Sequence, residues 1–182
     1  MIRDDATGEY LGTIDKNSEY YYDSVASSER CTKYLQDIED GKLPYEVKKK
    51  LTADEVNDVW KDRDYADPPY SKNYVVYDAV LKKDKKFVRF LTEGGKRKGS
   101  WIMLEEDVKG LTPKQIQSKY SLSFVPTIVC DVYIKAGTKI RVGVTSSLYG
   151  MVGHGLQFDL NQQRIGEFYN LRSINTWIDE NK

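Results

Sequence analysis

Three stretches of this chain carry residues that could do chemistry. In Phe87-Val88-Arg89-Phe90 an arginine sits between apolar neighbours in a strand-like run. Arginine is seldom buried without a partner. Arg89 is therefore either an edge-strand residue facing water or a guanidinium aimed from a rigid strand at phosphate, where its planar fork is better suited than lysine. In Glu93-Gly94-Gly95-Lys96-Arg97-Lys98-Gly99-Ser100-Trp101 the glycines let backbone approach a ligand, and successive amides can cradle a pyrophosphate beside the cations. An ordinary hairpin turn explains the same glycines and lysines. Ser100 and Trp101 add a hydroxyl and a large flat ring that could hold and stack a nicotinamide; a plain core role for Trp101 is the alternative. In Tyr149-Gly150-Met151-Val152-Gly153-His154-Gly155-Leu156-Gln157-Phe158-Asp159, three glycines in six residues build no core and permit close approach to a ligand. Strand alternation then sets Gln157 and Asp159 on one face, with Leu156, Phe158 and Leu160 on the other. That Gln-x-Asp face is either a catalytic edge or a solvated strand face.

The elements that must position these residues are readable from pattern. Ser24 to Ile38 spells a helix with Val25, Cys31, Tyr34, Leu35 and Ile38 roughly on one side, interrupted by Gly41 and Pro44. A second helix starts at the capping box Thr52/Glu55, after Leu51, and runs through Val56, Val59 and Trp60. Asp67-Pro68-Pro69-Tyr70 forces an extended segment. Beyond it the texture is strand and turn: 74–81, 87–91, 100–104, 124–134 and 139–144, with Lys135-Ala136-Gly137-Thr138 as a hairpin turn. Leu156 to Leu160 and two short strands around 165–169 and 171–174 follow. One helix interrupts them, opened by Thr112 as N-cap, Pro113 and Gln115, and ending near Tyr120.

Composition narrows the classes. With 40% hydrophobic and 31% charged residues the chain belongs with globular proteins, not disordered ones. Lys+Arg and Asp+Glu are both 28, which argues against a broad non-specific grip on nucleic acid while leaving room for a local basic patch. No run approaches the ~18 to 20 apolar residues of a membrane span. Met1-Ile2-Arg3-Asp4-Asp5 lacks the apolar stretch of a signal peptide and reads as a start cut from a longer chain or an ordinary cytosolic beginning. Cys31 and Cys130 suggest neither a zinc cluster nor a disulfide framework, and Cys130 in an apolar run reads as a small buried hydrophobe. His154 is the only histidine, so histidine-rich metal chemistry is excluded and no metal site is expected.

The order of these pieces resembles the C-terminal toxin domains of bacterial polymorphic and contact-dependent toxins, agents of interbacterial competition. The resemblance lies in Val88-Arg89-Phe90, Glu93-Gly94-Gly95, Gly99-Ser100-Trp101, Gly110-Leu111-Thr112-Pro113, Ala136-Gly137-Thr138 and Gly153-His154-Gly155-Leu156-Gln157. The layout is also similar to NAD glycohydrolases of the tuberculosis necrotizing toxin type, relatives of ADP-ribosyltransferases. It covers about 120 residues and leaves the N-terminal 50 outside. Two departures stand out: His154 replaces a glycine of the family's usual triplet, and Asp159 stands where ADP-ribosyltransferases commonly carry Glu.

The resemblance implies an α+β fold with a compact, twisted, mainly antiparallel β core of ADP-ribosyltransferase type. An N-terminal helical or linker segment (1–51) would precede a catalytic domain (52–182). It implies cleavage of the nicotinamide–ribose bond of NAD+ or NADP+ as substrate, without a cofactor. Arg89 would bind the diphosphate and Gln157 would be catalytic, with Asp159 beside it. Gly94, Gly95, Gly99, Ser100, Trp101, Arg141, Tyr149, Gly153, His154 and Phe158 would surround the substrate. A cognate immunity protein is the implied partner. Delivery would be by secretion or from a cell surface as part of a larger toxin, and action in the target-cell cytosol. Three rivals stand beside this. One is transfer of the ADP-ribose, which Asp159 in place of Glu makes less apt than hydrolysis. Another is a metal-independent RNase in which His154 works with Lys96, Arg97, Lys98 or Arg141, the one reading with a nucleic-acid partner. The last is a glycine-rich β domain that only binds a partner.

Overall fold

A computed structural model describes residues 2–3, 10–12, 15–63 and 68–181, with side chains from residue 15 onward. Asp67 of the expected extended segment lies outside the described residues. The fold is α+β, with a mainly antiparallel β core. A minimal ladder pairs β1 (Ile2–Arg3) with β2 (Tyr10–Gly12). Helix α1 (Ser24–Glu39) is capped by the Asp23 carboxylate, which accepts from the Ala26 amide at 3.0 Å. Its inner face is Ser27, Cys31, Tyr34, Leu35 and Ile38. Val25, expected on that face, is 68% exposed, because the first inward position falls at Ser27.

Strand β3 (Tyr45–Thr52) follows and was not visible in the sequence. It is an edge strand whose middle, Lys48 to Lys50, is exposed, and lysines on an edge discourage pairing with other chains. Thr52 and Glu55 form the expected capping box of α2 (Ala53–Lys61). Then come β4 (Val75–Leu81), β5 (Lys85–Leu91), the short β6 (Trp101–Ile102) and a 3-10 turn at Glu105–Asp107. Helix α3 (Pro113–Tyr120) carries the Thr112/Gln115 capping box and stops where Ser121 turns left-handed, φ 49°. Strands β7 (Ile128–Ile134), β8 (Lys139–Val144), β9 (Leu156–Asp159) and β10 (Glu167–Ser173) lead into α4 (Ile174–Glu180). β7 starts later than the pattern predicts, just after Pro126 removes a ladder donor. The two short final strands are one strand, β10, whose register breaks between Tyr169 and Arg172 at Asn170, φ 54°.

The strands form two antiparallel sheets, ordered β10-β7-β5 and β3-β4-β8-β9-β6. Between them lies the main core, where Phe87 of β5 meets Phe158 of β9 at 5.0 Å between ring centroids. α1 closes this core through Cys31, Tyr34, Leu35 and Ile38. On the far side of the three-stranded sheet, Val88, Phe90 and Val129 pack on α3 and α4 through Ile116, Tyr120, Ile174 and Trp177. On the outer face of the five-stranded sheet, Val76 and Tyr70 pack on α2 through Ala53 and Val56. Packing does not divide at residue 51/52. β3 crosses that point while paired along its length with β4, and α1 belongs to the same core as β4, β8 and β9. Residues 15–51 are therefore part of the fold that holds the site, since an edge strand and a core helix cannot be lifted away without exposing the apolar face they cover. No helix among the described residues is long and apolar enough to cross a membrane.

Candidate active site

The two sheets meet where β5 and β6 run together, joined by the Val88–Met103 bridge. A cavity of about 390 Å³ opens there. Arg89, Ser100, Trp101, Tyr149 and Gln157, from separate parts of the sequence, all line it. Arg89 and Gln157, the arginine and the glutamine that the resemblance pairs, thus border one cavity.

Arg89 shares the strand face of Phe87 and Leu91, directed at the other sheet and not at open water. Its Nη1 donates to the Trp101 carbonyl at 3.0 Å, while its Nε is buried without a hydrogen bond. Burial pulls the guanidinium down from its usual range, and the Cys130 thiol opposes that only partly. No described carboxylate contributes. A guanidinium stays protonated in such a place, so the cavity wall carries a positive charge with unused donors. That is the chemistry of an anion site.

Gly99 explains how the arginine fits. A Cβ at that position would lie 2.3 Å from Cζ and Nη2 of Arg89. The glycine makes room for the guanidinium, and phosphate is not what it admits. Gly94 and Gly95 form the turn after β5, with the Gly95 amide donating to the Thr92 carbonyl at 2.9 Å. Gly94 has φ 77° and open space around it, and neither glycine lines the cavity. The expected pyrophosphate cradle is a hairpin-type turn.

Trp101 is ringed by aromatics. Its centroid is 5.7 Å from that of Trp60 on α2 and 6.1 Å from that of Tyr70. Trp60 lines the cavity too, and pattern reading gave it only a helical role. Tyr149, 61% exposed, also lines the cavity, at the tip of a turn closed by the Met151 amide on the Leu148 carbonyl at 2.8 Å. Tyr149 and Gly150 have φ of 55° and 72°, and a tyrosine held left-handed is strained. Ser100 accepts from the Gln162 amide at 2.8 Å, which leaves its hydroxyl proton to donate. The stretch Tyr120 to Phe124 at the end of α3 also lines the cavity, and the Tyr120 hydroxyl is buried without a hydrogen bond. Burial drives that phenol far above the usual range, so it is a neutral group here.

Gln157 lies on the outer face of β9, opposite Gly143 of β8, with only 6% of its surface exposed. Its side-chain amide makes no hydrogen bond to another described residue. A buried amide with a free donor and a free acceptor, bordering a cavity, is ready for a ligand, since such groups are otherwise satisfied within the protein.

Asp159 shares the predicted face with Gln157 but opens into a neighbouring cavity of about 430 Å³ under α2. Asp159 does not line the glutamine's cavity, although the two cavities adjoin through Trp60 and Gln162, which border both. Next to it Arg141 is held by Asp78 through two parallel bonds, 2.7 and 2.9 Å, and so is not a free substrate contact. Burial pushes the Asp159 carboxyl up to about 6, against the Asn161 amide and Arg141, which favour its charged form.

The glycine run approaches protein, not ligand. A Cβ on Gly155 would sit 2.6 Å from the Tyr120 ring, and one on Gly153 2.5 Å from the Ser146 carbonyl. The Gly153 carbonyl accepts from the Tyr22 hydroxyl, and the His154 carbonyl from Ser27 Oγ at 2.6 Å. His154 is 4% exposed, packs edge-on against Tyr74 and does not line the cavity. Phe158 is a core residue between Tyr45, Tyr34 and Phe87, with none of its surface exposed. Among the described residues, no three His, Cys, Asp or Glu gather as a metal-binding group.

No family model, curated protein or solved structure matches this chain. The chemistry of the cavity has to be read from its own walls. They offer one buried cation without a carboxylate, glutamine amides, hydroxyl groups and a set of flat rings.

Proposed function

We propose that this chain is the catalytic domain of a bacterial toxin of the polymorphic or contact-dependent type, and that it hydrolyses NAD(P)+ at the nicotinamide–ribose bond. One observation carries the reading. Arg89, with no described carboxylate beside it, and Gln157, with its amide free, border one cavity together with Trp101 and Tyr149. A dinucleotide offers what each of these groups lacks: a diphosphate for the arginine, ribose hydroxyls for the amide, and a flat ring for the aromatics.

The bond chemistry fits so sparse a site. Water adds to C1′ of the ribose, and the C1′–N bond breaks with its electron pair leaving on nicotinamide. The pyridinium nitrogen becomes neutral as it departs, so no general acid has to protonate it, and the proton of the water goes to solvent. The transition state resembles that of glycoside hydrolysis, with positive charge on the ribose. The protein has only to hold the diphosphate through Arg89, clamp the nicotinamide between Trp101 and Tyr149, and steady the ribose or orient the water through Gln157. Asp159 lies outside this cavity, so it takes no direct part. An RNase would need the imidazole of His154, which is packed against Tyr74 away from the cavity.

As part of a toxin the domain would be delivered to a rival's cytosol and be neutralised by a cognate immunity protein. The test is to incubate purified protein with NAD(P)+ and, separately, with total RNA, with chelator present. Release of nicotinamide is expected. Intact dinucleotide with degraded RNA would replace this reading by the nuclease.

A further inference from the structure

Beside the Arg89 cavity lies a second opening of about 510 Å³. Lys96, Lys98 and Arg164 line it, and among the described residues no acidic side chain does. No described carboxylate forms an ion pair with any of the three. Uncompensated like charges gathered in a concave surface raise the local potential and attract anions. The opening also adjoins the cavity directly. Ser100 and Gln162 border both, tied together by the 2.8 Å bond from the Gln162 amide to Ser100 Oγ. Gly99, which lines the cationic opening, is the residue against which the Arg89 guanidinium rests. The two openings are therefore adjoining parts of one groove, with Arg89 at the junction.

A dinucleotide placed with its nicotinamide beside Trp101 and its diphosphate on Arg89 must carry its adenosine half onward from that junction. The cationic part of the groove lies there. NAD+ brings no further charge to it, whereas NADP+ brings a 2′-phosphate with strong acceptor oxygens. We propose that Lys96, Lys98 and Arg164 bind the 2′-phosphate of NADP+, making NADP+ the preferred substrate. This rests on the NAD(P)-cleaving reading above. Because the three cations are exposed, the preference should shrink as salt is added.

The test compares nicotinamide release from NADP+ and NAD+ by wild type and by Arg164→Gln, an exposed position whose change should leave the melting temperature unmoved. Wild type is expected to favour NADP+ in kcat/KM by at least about tenfold, the size of one charge-assisted hydrogen bond. The variant should lose most of that preference through NADP+ alone. Equal use of the two substrates by wild type, or an equal fall for both in Arg164→Gln, would overturn the proposal. A second arm needs no catalysis. Adenosine 2′,5′-bisphosphate and 5′-AMP are titrated calorimetrically into both proteins. Tighter binding of the bisphosphate, lost in Arg164→Gln, supports the anion site even where neither dinucleotide is cleaved, and equal affinities for the two nucleotides sink it. Failure of the hydrolase reading and failure of this site are thus read separately.

Discussion

Replacing Gly99 by alanine should disable the site while leaving the fold standing. The backbone at this position is not left-handed, so alanine meets no conformational penalty there. The conflict is with one side chain. The new methyl would lie 2.3 Å from Cζ and Nη2 of Arg89 and 2.7 Å from Nη1, and the arginine has to move by an ångström or more. Moving it breaks the 3.0 Å bond from Nη1 to the Trp101 carbonyl. A bond from a charged donor is worth about 1.5 to 3 kcal/mol, and Gly→Ala returns about 0.4 to 1 kcal/mol through the unfolded chain. The net cost is about 1 to 2 kcal/mol, a fall of roughly 2 to 8 °C in melting temperature for a chain of this size. The catalytic cost is larger, because displacing a positioning group by about 1 Å can cost on the order of 10²-fold in rate. In the proposed reaction Arg89 would hold the diphosphate in ground and transition states alike, so most of the loss should fall on KM. Nicotinamide release measured across substrate concentration, beside a thermal melt, reads both. Gly99→Ala with wild-type kinetics would refute the reasoning, because Arg89 would then not need the position it occupies.

Two further outcomes follow from buried groups. Asp159 has a folded-state value raised from the ordinary carboxylate range to about 6, so the folded protein favours its protonated form. Its contribution to stability is full below about pH 4 and is lost as pH rises through about 6, a total of about 3 kcal/mol. Asp159→Asn keeps an acceptor for the Asn161 amide and should melt higher than wild type at pH 7.5, with the two curves converging toward pH 4; a variant less stable at pH 7.5 would show that the charged carboxylate is needed. His154→Gly removes a buried imidazole at φ 66°, where glycine is at ease. It should lower stability through the hole it leaves, yet change dinucleotide turnover by less than about tenfold, equivalent to ~1.4 kcal/mol of barrier; a collapse of turnover in a folded variant would return His154 to the centre of the mechanism.

What the sequence made legible was local or periodic. Thr52 with Glu55 and Thr112 with Gln115 are capping boxes set by residues three apart, and both cap helices. β8 ends where its pattern ends, at Val144. Alternation correctly put Gln157 and Asp159 on one face of β9. It could not show that α2 divides the space above that face, so that the glutamine and the aspartate open into different cavities. Glycine was a sound sign of close approach at Gly99, Gly153 and Gly155. The partners were an arginine, a carbonyl and a tyrosine ring from distant parts of the chain, which no local pattern specifies. β3 hid behind its edge lysines. α4 hid because it is seven residues long and Ser173 makes no side-chain cap bond. Trp60 was visible as a helix residue, but its contact with Trp101 exists only once α2 lies on the sheet.

The central claim is that Gln157, on the wall it shares with Arg89, carries the cleavage of NAD(P)+. The measurement that reaches it most directly is nicotinamide release by wild type and by Gln157→Ala, each shown folded by its melt, with chelator present. The Gln157 amide makes no hydrogen bond to another described residue and borders a cavity, so its removal should cost little stability. Steady release by wild type is expected, with loss of at least about 10²-fold in the variant, the scale of removing one transition-state contact. A folded Gln157→Ala that releases nicotinamide at the wild-type rate would contradict it.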